Sequence, residues 1–162
     1  MMLKIGMFTS ALLLVLSTSA FALPNCLDNR GGVLDVNNDQ VLQWKADGKL
    51  QYHSRGHIKG TFVRSYPEYT GHAHFEVQIG NDNSDTIEIV YNQSFGELPD
   101  MQPGQDIEVC GDYITTGYQG HGSSPDGAIL HWVHQNNSGH GHPSGYVAVD
   151  GTLYGDGNGY GN

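Results

Sequence analysis

The sequence predicts a mainly β domain: a small five-stranded OB-type β-barrel flanked by a short N-terminal helix and a C-terminal hairpin. Three observations lead there. Apolar and polar residues alternate at period two in four successive runs between about 56 and 110, the pattern of half-buried strands. A fifth run at 128–133 is apolar on both faces and reads as a central strand. The connection joining the third run to the fourth, at about 93–104 with Pro99, Pro103 and Gly104, is longer than the turns before it, which matches the crossing of an OB-type barrel. A generic small β-sandwich is the competing architecture.

The chain opens with an expected signal peptide over residues 1–22. Lys4 supplies the positive start, Ala11 to Leu16 the apolar core, and Ala20-Phe21-Ala22 the small residues that signal peptidase requires. The apolar run is too short to span a bilayer. Cys26 follows Pro24-Asn25 rather than a small residue, so no lipobox is formed and no membrane anchor is expected. The product reads as a soluble protein exported to the periplasm or the extracellular space.

Residues 23–55 form a lead-in, with Asn38-Asp39 as the cap of a helix over about 39–47 and Gly48 as its stop. The stretch Asp35-Val36-Asn37-Asn38-Asp39 resembles the start of a calcium loop. Gln40 and Ala46 stand where that loop needs Gly and Glu, so the cap is the better reading. The barrel domain spans 56–154. Ile58, Gly60 and Phe62 mark the first strand; Phe75, Val77 and Ile79 the second; Ile87, Ile89 and Tyr91 the third; Ile107 and Val109 the fourth. Residues 66–71 and 80–84 read as turns. A hairpin is centred on Asp150-Gly151, and 155–162, nearly all Gly, Asn, Asp and Tyr, reads as a disordered tail.

Charge narrows the partners. Without its first 22 residues the chain carries 6 Lys and Arg against 17 Asp and Glu, a formal charge of −11. Polyanions and anionic lipid need a basic surface, so a nucleic-acid partner is not expected. Cys26 and Cys110 are the two cysteines; in an oxidising compartment they are most simply a disulfide pinning the N-terminal segment to a core strand. Such a bridge contributes about 4 kcal/mol in the chain-entropy model.

Histidine is the unusual feature. Nine occur, five of them between 121 and 142. His131 and His134 sit at a strand end, where strict alternation puts them on opposite faces unless the chain leaves the strand near Val133. His140 and His142 lie in a glycine-bounded loop. Imidazoles brought together this way suit a divalent metal, zinc or copper, with Asp112 or Asp126 available to complete the set. His72, His74 and Glu76 share one face of a strand, a spacing that fits a metal but more often marks an ordinary polar outer face. Trp132 and Tyr146 are candidate ligand-binding aromatics. No nucleophile elbow and no phosphate-binding glycine loop occur.

Several segments carry a resemblance: Gly71-His72-Ala73-His74-Phe75, the Asn92 segment, the run from Pro103 to Tyr113, His131-Trp132-Val133-His134 and His142-Pro143-Ser144-Gly145-Tyr146. Over 56–154 the chain resembles an exported bacterial family, the domain of unknown function numbered 3465, whose members look like small OB-type barrels ending in a His-Trp-Thr-His element. Here Val133 replaces the usual Thr, Gln135 stands where a further His is typical, and Asn136-Asn137 replaces Asp-Pro. The resemblance implies that His72, His131, His134 and His142 belong together. The expected function is an exported binding protein for a small-molecule or protein ligand, with a divalent metal in the His-rich loop. The alternative is an exported metal-dependent hydrolase of the phosphodiesterase or nuclease type, with Arg64 as the one arginine in a clear strand.

Overall fold

The computed structural model describes residues 22–52, 54–117 and 123–156. The expected signal peptide lies outside the described residues except for Ala22, as does the tail from 157 onward.

Helix α1 (Asn38–Asp47) ends where Gly48 turns left-handed, at φ 59°, and its N–H donates to the Lys45 carbonyl. Asn38-Asp39, expected as the cap, lie inside the helix, and Asn38 together with the preceding Asn37 stitches it to the sheet. Asn37 holds the N-cap position, and its side chain donates to the Arg55 carbonyl at 3.2 Å and accepts from the His57 N–H at 2.8 Å. Asn38, already inside the helix, accepts from the Lys59 N–H at 3.0 Å and donates to the Ile79 carbonyl at 2.9 Å. Val41 is wholly buried in the main core, so the lead-in packs into the same hydrophobic cluster as the strands.

Seven strands follow: β1 (Ser54–Tyr69), β2 (His72–Gln78), β3 (Thr86–Asn92), β4 (Asp106–Thr115), β5 (Ala128–His131), β6 (Tyr146–Val149) and β7 (Thr152–Tyr154). They form one sheet in the order β1-β2-β3-β5-β4-β6-β7, and β1 pairs also with β4. The first five strands thereby close into a ring in which only β3 and β5 run parallel. The fifth run is flanked on both sides, as its apolar character predicts, and the C-terminal hairpin extends the sheet from β4 through β6.

Three boundaries differ from the sequence reading. Residues 66–69, expected in a turn, continue β1 to Tyr69. Pro67 is tolerated there because the β1–β2 register slips between Tyr66 and Tyr69. The turn is only Thr70-Gly71, both at positive φ. The fifth strand stops at His131, two residues early, because Trp132 takes φ 49°. Gly155, expected to open a disordered tail, is buried, and its carbonyl accepts the Gln135 N–H at 2.5 Å.

Alternation divides the side chains between the interior and two outer faces. Ile58, Phe75, Val77, Ile87, Ile89, Val109, Tyr113 and Leu130 fill the interior. On the outer face of β4 and β6, Cys110, Tyr146 and Ala148 pack with Cys26, Leu23 and Leu34 of the N-terminal segment. The disulfide between Cys26 and Cys110 forms as expected. Arg55 lies beneath this cover. Its guanidinium donates to Asp112 at 2.5 Å, to the Leu27 carbonyl at 3.0 Å and to the Ser144 carbonyl at 2.8 Å. Nearby, the two nitrogens of His57 bridge the Leu34 carbonyl and the Glu108 carboxylate, which also accepts from Tyr146 at 2.8 Å. Burial alone would raise the Glu108 carboxyl, but hydrogen bonds from Lys59, His57 and Tyr146 outweigh it and hold it below its usual value. Among the described residues no helix is long and apolar enough to cross a membrane.

Asp112→Ala strands a buried guanidinium and is expected to lower stability by about 3–5 kcal/mol in urea unfolding. The double variant Arg55→Met, Asp112→Leu is expected to recover most of that loss, because it removes both charges.

Candidate functional site

The site begins with a break in β5. On a regular strand His131 and His134 would face opposite ways. Trp132 instead adopts the left-handed conformation, which is rare for a bulky side chain and costs about 1–2 kcal/mol. The turn reverses the alternation and brings both histidines to one side. Two glycines make room for it. A Cβ on Gly145 would lie 2.3 Å from the Cys110 carbonyl oxygen and 2.4 Å from that of Trp132. A Cβ on Gly111 would lie 2.4 Å from Val133 Cγ1 and 2.7 Å from the His131 carbonyl oxygen.

Around the break, rings follow one another in a chain. His72 meets His131 with centroids 5.7 Å apart; His131 stacks on Trp132 at 4.6 Å; Trp132 meets His142 at 5.4 Å; and His142 meets His134 at 5.6 Å. Phe95 stacks on His134 at 3.9 Å, and Tyr52 closes on Trp132 edge-on at 5.8 Å. The four histidines that the resemblance groups together lie along this chain of rings, two on either side of Trp132. His140 does not join them: it is exposed, and its carbonyl accepts from Asn136 Nδ2 at 2.9 Å. Tyr146 lies elsewhere, buried beside the disulfide with its hydroxyl donated to Glu108, which is why it cannot serve as an open ligand platform. Asp112 is engaged by Arg55, and Asp126 by Tyr66 and Thr86.

Three of these imidazoles are held the same way. Nδ1 faces the Thr70 carbonyl in His72 at 3.0 Å, the Gln135 carbonyl in His134 at 2.9 Å and the Pro143 carbonyl in His142 at 2.9 Å. A carbonyl oxygen only accepts, so Nδ1 carries the proton in the neutral ring and Nε2 presents its lone pair. That is how ligating histidines are commonly oriented. Burial lowers the His134 pKa below its usual value, and positive charge on His142 or His72 would lower it further. Among the described residues no three His, Cys, Asp or Glu side chains are grouped to hold one metal ion.

A cleft of about 280 Å³ adjoins the ring chain on the outer face of β2, β3 and β5. His72, His74, Glu88 and His131 supply its polar groups; Val90 and Ile129 supply apolar wall. Tyr69 stands at its edge, 71% exposed, beside Thr70, a β-branched residue at φ 51°. His74 Nδ1 and Glu88 Oε1 are 2.6 Å apart, both side chains largely buried. Glu88 is directly opposite Glu76 in the β2–β3 register. Glu76 meets Arg64 Nε at 2.5 Å and lies 3.2 Å from the Tyr66 hydroxyl, which also reaches Asp126 at 2.9 Å. Burial pushes the Tyr66 hydroxyl well above its usual pKa. The sequence signal for this patch was the alternation of His72, His74 and Glu76. An ordinary polar outer face leaves carboxylates in water, whereas Glu76 and Glu88 are only 5% and 6% exposed. Glu88 itself was not singled out: in the alternating third run it reads as one of the polar, outward positions, and only its burial and its contact with His74 set it apart.

No protein-family model matches the chain, and no curated protein matches it.

Two outcomes follow from this geometry. Because His134 has a lower pKa folded than unfolded, the unfolded chain binds more protons below the usual value of 6.5. Its contribution to stability is complete above that pH and is lost as pH falls toward the folded pKa. Urea unfolding between pH 7.5 and 5 is expected to show wild type losing stability faster than His134→Gln. Gly145→Ala places a methyl group against two carbonyls and is expected to destabilise by about 1–3 kcal/mol, read as a lower Tm.

Proposed function

We propose that the chain is an exported binding protein built on an OB-type barrel and related to the family numbered 3465, taking its ligand on the face formed by β2, β3 and β5. The five-strand ring with a parallel β3–β5 pair supports the barrel reading, as does a cleft beside the β1–β2 turn, where such barrels bind ligands. A buried disulfide suits an oxidising compartment. The observation that carries the binding role is the set of imidazoles gathered at Trp132, three of them with Nδ1 tied to a carbonyl and Nε2 left as the acceptor.

Such nitrogens are ligands for zinc or copper. The described residues do not fit a closed four-ligand zinc site, since no three donors are grouped. They fit an ion held by two imidazoles, at His72 with His131 or at His134 with His142. Bound there, a divalent ion would supply a positive centre for a small ligand, and the backbone carbonyls would keep the rings oriented. The hydrolase reading draws on one observation, the His74–Glu88 pair within the cleft, with Arg64 beside the neighbouring Glu76.

The test is titration of the purified protein with Zn²⁺ and with Cu²⁺, followed by calorimetry and, for Zn²⁺, by the histidine ring resonances. Binding is expected to move the His72, His131, His134 and His142 signals and to weaken below about pH 6.5, where imidazoles protonate. His131→Ala and His134→Ala are each expected to remove one pair. Histidine signals that stay still at every pH would overturn the metal part. Chelator-sensitive cleavage of a phosphodiester in the same samples would replace the binding role with the hydrolytic one.

A further inference from the structure

The cleft on β2, β3 and β5 selects a ligand by what its walls carry. Among the described residues its lining includes no Lys or Arg, in a chain with 7 Lys and Arg against 17 Asp and Glu. An anionic ligand therefore finds no fixed positive charge there and meets a repelling field. The one carboxylate among the described wall residues, Glu88, faces His74 Nδ1 at 2.6 Å, so a cationic ligand would have to compete with that contact. The remaining polar groups among the described residues can donate or accept hydrogen bonds: Nε2 of His72, the His131 ring and the hydroxyls of Thr70 and Ser123. Val90 and Ile129 supply apolar wall, and Tyr69 offers an aromatic face at the rim, 71% exposed.

An exposed aromatic ring beside hydrogen-bonding groups, with no lysine or arginine among the described lining residues, fits a flat, neutral, hydroxyl-rich ring. The electron-rich face of an aromatic attracts the slightly positive C–H faces of such rings. The volume of about 280 Å³ lies just below the range of about 300–1,000 Å³ usual for drug-sized ligands, so the cleft holds a small unit. Barrels of the OB type bind chains of nucleotides or of sugars on this face, and the acidity here disfavours the first. Backbone strain points to the same place: Thr70 and Trp132 hold positive φ beside the cleft, whereas Asp150 is accounted for by its Asp-Gly hairpin.

We infer that the cleft binds a neutral sugar ring of an oligosaccharide, stacked on Tyr69 and hydrogen-bonded by His72, His131 and Thr70. The inference rests on the β2–β3–β5 face being the ligand face and is independent of any metal.

The test is saturation-transfer NMR and calorimetry on the full mature chain. The probes are neutral gluco-, manno-, galacto- and N-acetylglucosamine hexamers, a chitosan hexamer, an oligogalacturonate and a single-stranded oligonucleotide. At least one neutral series is expected to bind more tightly than every charged probe. Tyr69→Ala is expected to weaken that binding about tenfold or more while leaving Tm unchanged, because the ring is mostly in solvent, and Tyr69→Phe is expected to retain it. Absence of neutral binding, stronger binding of a charged probe, or an unchanged affinity in Tyr69→Ala would overturn the inference. A charged probe that shifts the His72 and His74 resonances would leave the ligand face standing and remove only the sugar. If no probe and no metal ion moved those resonances, both proposals would fall.

Discussion

The buried pair of Arg55 and Asp112 is the interaction on which the rest of the molecule depends. Arg55 lies on β1 and Asp112 on β4, so the pair spans the seam that closes the five-strand ring. The same guanidinium holds the Leu27 carbonyl of the N-terminal segment and the Ser144 carbonyl just before β6. Asp112 is also the register partner of His131. One side-chain pair thus fixes the strand that leads into the histidine segment and the residue that leads out of it. A buried arginine is expensive to desolvate unless its donors are filled, and here a carboxylate and two carbonyls fill them. Between these two anchors the chain has to turn within 131–145, and the left-handed Trp132 is how it does so.

This arrangement treats the two outer faces of the sheet differently. On the β4–β6 side, the N-terminal segment is bound by a disulfide, by Arg55 and by His57, and the face becomes a second small core. On the β2–β3–β5 side a cleft remains between the Thr70-Gly71 turn and the end of β5, and polar side chains line it. The positive-φ residues Thr70 and Trp132 both border this side. Strain of about 1–3 kcal/mol at such positions persists only when the surroundings enforce it. The enforcing contacts are visible: Gly111 and Gly145 admit the Trp132 turn without a clash, and the Thr70 carbonyl is occupied by His72.

How much of this was legible in the sequence depended on the range of the cause. The strands, the helix stop at Gly48 and the Asp150-Gly151 hairpin follow from period, φ preference and turn chemistry within a few residues, and all three were readable. The Cys26 and Cys110 pairing needed only a count. Beyond that range the reading weakened. Asn38 looks like a cap locally, but it lies inside the helix and, like Asn37 before it, is recruited by β1, more than fifteen residues on. Tyr66 to Tyr69 looks like a turn because of Pro67, yet the register slip lets β1 continue. The chain of rings that links His72 to His131, His142 and His134 through Trp132 needed both the turn at Trp132 and the neighbouring position of β2, and neither is a local property. Period two even argued against it, and only a departure from the strand near Val133 left the possibility open.

The cross-strand carboxylates show why the cleft wall carries an imidazole rather than a fixed cation. Glu76 and Glu88 stand opposite each other on one face, where like charges about 5 Å apart repel by about 3 kcal/mol at an effective dielectric near 20. Both are nearly buried, which adds a desolvation cost. The fold offsets the two in different ways. Glu76 takes a permanent cation, Arg64, whose own side chain is mostly in solvent; Glu88 takes an imidazole, His74, that faces inward toward the cleft. A lysine or arginine in the place of His74 would satisfy Glu88 but would put a fixed cation into the cleft wall. Histidine meets the carboxylate through Nδ1 while keeping the wall's remaining surface a planar, adaptable hydrogen-bonding ring. The absence of a fixed cation among the described residues of the cleft wall is therefore a consequence of how the sheet tolerates two buried acids side by side.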